Sequence, residues 1–94
     1  MTDKKRILVV DDDVSIVASL QFILEDEGFS VTCVTTPEAA CVQVTEQAFD
    51  CVLLDMNFTK DTTSGAEGVV LVKQLKDLDE QLPIIVMTGW ATID

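Results

Sequence analysis

The apolar run Ile7-Leu8-Val9-Val10 stops abruptly at three consecutive aspartates, Asp11, Asp12 and Asp13. A short unbroken apolar run suits a strand buried on both faces of a parallel sheet, whereas a strand with one wet face alternates. Two further segments repeat the arrangement. Asp50-Cys51-Val52-Leu53-Leu54 runs into Asp55, and Pro83-Ile84-Ile85-Val86-Met87 runs into Thr88-Gly89. Residues 29–34 read as a fourth strand, second in chain order. Between the strands the apolar period becomes helical. Residues 14–27 place Ile16, Val17, Leu20, Ile23 and Leu24 at offsets of three and four. Asp13 is the expected N-cap of this helix and Gly28 its stop. Thr36-Pro37-Glu38 opens a second helix, with Thr36 as N-cap and Pro37 in the first helical position. It carries Ala39, Ala40, Val42 and Val44 and fades near Gln47. Residues 68–78 form a third helix, with Val69, Val72, Leu75 and Leu78 on the apolar side and Lys73, Lys76 and Asp77 outward. Strands alternating with helices indicate an α/β fold with a parallel sheet and right-handed crossovers.

Composition narrows the function classes. The 94 residues are 48% hydrophobic, which excludes an acidic disordered tail. Six Lys and Arg stand against 17 Asp and Glu, a formal net charge of −11. That balance argues against direct nucleic-acid binding by this segment, since phosphate neutralisation needs clustered cations. The chain has no histidine, so Ser–His–Asp and Cys–His chemistry and the common zinc sites are excluded. Cys33, Cys41 and Cys51 are odd in number and widely spaced, and read as small buried hydrophobes rather than disulfide or metal partners. No apolar stretch is long enough to span a membrane and no signal-peptide core is present, so the expected location is the cytoplasm.

Three of the four strands end in a reactive or polar side chain: Asp11-Asp12-Asp13, Asp55 and Thr88. In a parallel sheet these ends share one edge, which is where ligands bind in open α/β sheets. An isolated Asp triplet is most simply a polar turn and helix cap. With Asp55 and Thr88 at matching strand ends, converging carboxylates become the better reading. Such groups repel and raise one another's pKa unless a cation neutralises them. Oxygen-only donors suit Mg2+, or Mn2+ in its place, and Mg2+ held by few carboxylates completes its shell with phosphate oxygens. The site therefore suits phosphoryl chemistry.

Ile-Leu-Val-Val-Asp-Asp-Asp (residues 7–13), Val-Leu-Leu-Asp-Met (52–56) and Pro-Ile-Ile-Val-Met-Thr-Gly (83–89) resemble the receiver domain of two-component response regulators. The resemblance covers essentially the whole chain. It implies a flavodoxin-like, doubly wound sheet of order 2-1-3-4. It implies that Asp55 accepts a phosphoryl group from a histidine kinase or a phosphotransfer protein. Asp12 would ligate Mg2+ directly, Asp11 mainly through water, and the backbone carbonyl of Asn57 would complete the protein ligands. Thr88 would supply the switch hydroxyl, and Asp13 keeps its capping role. Catalysis would be limited to the domain's own phosphorylation and dephosphorylation. Residues 87–94 and the long loop further resemble receivers attached to sigma-54-dependent AAA+ activators. That implies an output of AAA+ ATPase and DNA-binding domains that regulates transcription.

Two departures stand out. The family's lysine at the end of a fifth strand has no counterpart in these 94 residues, so residues 1–94 are expected to be a receiver cut after strand four. Strand four would then be an open edge, expected to drive homodimerisation or domain swapping. The path from Asp55 to Gly68 is longer than the family's, and residues 58–67 read either as a solvated loop or as a cover over the phosphosite. Trp90 reads equally as a packing residue or a partner contact. Two other function classes compete. A degenerate receiver would act as an interaction or dimerisation module without phosphorylation. A haloacid-dehalogenase-like phosphatase needs a second Asp two residues after the nucleophile, where this chain has Asn57.

Overall fold

A computed structural model describes residues 4–55 and 66–87. In chain order these form β1 (Arg6–Val10), α1 (Val14–Asp26), β2 (Ser30–Val34), α2 (Pro37–Glu46), β3 (Cys51–Asp55), α3 (Ala66–Leu78) and β4 (Ile84–Met87). The four strands make one parallel sheet in the order β2-β1-β3-β4. This is the expected α/β architecture and the expected strand order.

The unbroken apolar run of β1 is explained by its central place. Leu8 and Val10 face the cluster that contains Leu71 and Leu75 of α3 and Ala40 of α2. Ile7 and Val9 face the cluster built on Val17 of α1. Both faces of the strand are dry, so neither alternate position tolerates a polar side chain. Beneath α2 and α3, Phe49, Val52, Leu54 and Leu82 complete the larger cluster.

The caps form as the sequence implies. The Asp13 carboxylate accepts from the N–H groups of Ser15 (2.9 Å) and Ile16 (3.4 Å). The Thr36 hydroxyl accepts from the Ala39 N–H at 3.1 Å, with Pro37 opening α2. Gly28 follows α1 with φ of +98°, a left-handed conformation that side-chain-bearing residues rarely adopt.

The helix faces depart from expectation. Val17 is the buried residue of α1, flanked by partly buried Leu20 and Leu24, while Ile16 (44%) and Ile23 (54%) are exposed. A lone helix on this side of the sheet, among the described residues, buries only a narrow stripe and leaves its flanks in water. α3 begins at Ala66, two residues before the expected Gly68. Its buried stripe is Leu71 and Leu75 with partly buried Val72, and Leu78, assigned to the core by spacing, is 48% exposed. Val42 of α2 is likewise half-exposed. Lys76 points outward as expected, but its ammonium turns back onto the carbonyls of Leu82 (2.7 Å) and Glu80 (3.4 Å), closing the turn after α3. The three cysteines are free and only partly buried. Ile85 (53%) and Val86 (43%) are exposed on β4, at the outer edge of the described sheet. Among the described residues no helix is long and apolar enough to cross a membrane.

This division of faces predicts unequal responses to truncation. Leu75→Ala, at a fully buried site, should cost about 3 kcal/mol in urea unfolding, because it removes buried methylenes and leaves a cavity. Ile23→Ala, on the exposed flank of α1, should cost less than about 1 kcal/mol.

Candidate functional site

The sheet register brings the acidic residues together. Val10 of β1 lies beside Leu54 of β3, so Asp11, the first residue after β1, and Asp55, the last residue of β3, stand at the same level of the sheet. The Asp11 N–H still reaches the Val34 carbonyl of β2 at 3.2 Å, which holds Asp11 in line with the strand. Its side chain is 1% exposed, whereas Asp12 and Asp55 are partly exposed. Asp11, Asp12 and Asp55 each offer a carboxylate oxygen within 4.8 Å of the other two. Asp13 stands apart from this group, its carboxylate committed to the first turn of α1.

Burial and crowding shape the electrostatics. The Asp11 carboxyl is pushed up to about 6, first by burial and then by the charge and hydrogen bonding of Asp55 and the charge of Asp12. One contact works the other way: the Asp13 N–H donates to Asp11 Oδ1 at 2.9 Å and favours the ionised form. This bond was not foreseen in the sequence, although an Asp accepting from the N–H two residues on is a common turn device. Three hard oxygen donors at this spacing, with one of them reluctant to ionise unaided, fit a divalent cation of the Mg2+ or Mn2+ type. Of the other expected site residues, Asn57 and Thr88 lie outside the described residues, as do Trp90 and residues 58–65 of the long loop. Lys4, Lys5 and Arg6 sit at the opposite end of β1, about 16 Å away for a five-residue strand.

The described edge therefore unites the three carboxylates that spacing and strand ends predict. The family model for the response regulator receiver domain matches residues 7–94. Transcriptional regulatory protein ZraR of Escherichia coli (strain K12) is 34% identical over 92 residues, covering 98% of this chain and 20% of ZraR. The chain thus spans about a fifth of that regulator's length. A CheY-like response regulator receiver domain protein from Methanospirillum hungatei JF-1 superposes with a TM-score of 0.80 at 31% identity, covering 97% of this chain and 69% of that one. A response regulator from Burkholderia pseudomallei, solved with a phosphorylated aspartic acid, calcium ion and citrate, gives a TM-score of 0.80 at 28% identity over 96% of this chain and 50% of that one.

A pH dependence follows from the raised Asp11. Its folded value of about 6 exceeds the ordinary 3.8, so the folded state binds the proton more tightly than the unfolded chain. The associated stability is fully present below about pH 4 and is lost as pH rises through 6. Without divalent cations, the stability of the wild type relative to Asp11→Asn should fall by on the order of 2 kcal/mol between pH 4 and 7. Denaturant unfolding at each pH reads this difference. Saturating Mg2+ at pH 7 should reverse the loss.

Proposed function

Since the chain belongs to the response regulator receiver domain family, we propose that it is a phosphorylation-driven switch whose phospho-acceptor is Asp55. The carrying observation is the placement of Asp55 at the end of β3, with Asp11 and Asp12 carboxylate oxygens within 4.8 Å. The donor is a histidine kinase or a phosphotransfer protein. A carboxylate oxygen of Asp55 attacks phosphorus, the bond from phosphorus to the donor nitrogen breaks, and that nitrogen keeps the electron pair. The product is an aspartyl phosphate. Asp11, Asp12 and Asp55, with the backbone carbonyl of Asn57, hold the divalent cation. When bound, Mg2+ supplies positive charge that offsets repulsion between the acceptor and the incoming phosphoryl oxygens.

The Thr88 hydroxyl donates to a phosphoryl oxygen, and its displacement biases a two-state surface. The output is a transcription-regulating domain, of the AAA+ ATPase and DNA-binding kind in the subfamily reading. The chain's own chemistry is confined to gaining and losing the phosphoryl group, in the cytoplasm. The exposed Ile85 and Val86 on β4, the outermost of the described strands, support pairing with a second copy. A degenerate, unphosphorylated interaction module is the alternative, and one experiment separates the two.

The protein is incubated with acetyl phosphate and Mg2+ and weighed by intact mass spectrometry. The wild type should gain one phosphoryl group, Asp55→Asn none, and Asp12→Asn should label at least about tenfold more slowly. Equal labelling of Asp55→Asn and wild type rejects the assignment of Asp55. No labelling of the wild type, and no Asp55-dependent response to beryllofluoride, favours the interaction module.

A further inference from the structure

α2 and α3 are packed neighbours on one side of the sheet. Between their outer flanks runs a groove of about 540 Å3, open to solvent. Val42 and Cys41 on α2 and Leu78 on α3 supply its apolar lining, and Glu46 and Asp77 its carboxylates. Val42 is 50% exposed and Leu78 48% exposed, so large apolar area faces water there. We propose that this groove docks a cationic amphipathic helix of a partner protein, its apolar stripe on Val42 and Leu78 and its lysines or arginines toward Glu46 and Asp77.

Shape, apolarity and charge each bear on that occupant. The cleft between two packed helices is the shape into which the side-chain ridge of a third helix fits. Its volume takes a few aliphatic side chains rather than a whole globular surface. Among the described residues, the lining holds two carboxylates and no cation. Glu38, on the same helix, adds a negative field that raises the Cys41 thiol beyond the effect of burial. Lys73 stands one turn before Asp77 on α3 and does not line the groove. Lys76 is turned away, its ammonium on the Leu82 and Glu80 carbonyls. Cys41 and Gln74 are in contact across the groove, with Sγ 3.9 Å from Oε1, so its two walls meet at that point. The groove shares none of the residues assigned to phosphoryl transfer.

The test titrates 15N-labelled protein with a short synthetic helix that pairs a leucine stripe with a lysine face, and with a scrambled peptide of the same composition. Amide shifts should concentrate on residues 41–46 and 74–78. The scrambled peptide should bind at least about tenfold more weakly, because it matches charge but not the apolar stripe. Val42→Ser with Leu78→Ser, both at solvent-facing positions that leave the core intact, should weaken binding about tenfold. Glu46→Gln with Asp77→Asn should weaken it and flatten its salt dependence. Equal binding of the scrambled peptide overturns the proposal, as do shifts centred on the Asp11 and Asp12 edge. Shifts of the groove amides on concentrating the protein alone, with no response to the peptide, assign the groove to a second copy and also overturn it.

Discussion

The enclosure of β1 governs the rest of the molecule. Hydrogen-bonded on both edges, by β2 and β3, it is also covered on both faces, by α1 and by the α2 and α3 layer. A strand in that position admits charge only at its ends, at exposed Arg6 where it begins and at the aspartates that follow it, and the first of these, Asp11, is still 1% exposed. Asp11 is therefore desolvated by the same packing that makes the fold stable. The in-register neighbour β3 ends at the same level and adds Asp55 to a region already short of water. Two negative charges so placed are relieved by a proton or by a cation. Packing thus builds the electrostatic tension at the carboxylate end of the sheet.

Much of this was legible because strand burial and strand termination leave strong marks. Three apolar runs and the segment 29–34 give the sheet, and the aspartates that end two of those runs give the edge at which Asp11, Asp12 and Asp55 meet. Asp13, Thr36 and Gly28 were readable because each satisfies a local backbone requirement that needs no distant partner. The helix faces were less legible. Apolar spacing identified Ile16 and Ile23 with the core as readily as Val17, since periodicity marks a face but not its width. The width depends on how many neighbours cover the helix, which is a tertiary property. The same ambiguity placed Leu78 inside and passed over Leu71, which is almost fully buried, while Leu82, equally buried, lies in the turn after α3 where no periodicity marks it. The near-complete burial of Asp11 was equally hidden, because three adjacent aspartates look alike until the turn assigns each its surroundings.

The two sides of the sheet are finished differently. The side with α2 and α3 holds the larger buried cluster. The α1 side holds a smaller one, and Ile85, which sits beside Leu53 on that side, is half-exposed. The apolar residues left in water are consequently not scattered at random. Among the described residues they lie on the three helices and on β4, with Val42 and Leu78 in the cleft between α2 and α3, while the acidic cluster occupies one end of the strands.

Asp13 has a double attachment. Its carboxylate is fastened to the start of α1 while its backbone N–H is fastened to Asp11. The acidic cluster and the first turn of α1 are thereby hinged on a single residue. A side-chain replacement at 13 unfastens the helix but keeps the N–H, whereas a replacement at 11 removes the acceptor and leaves the helix cap whole. Two chemically identical residues separated only by Asp12 thus offer independent handles, one on the anchorage of a helix and the other on the charge of the site.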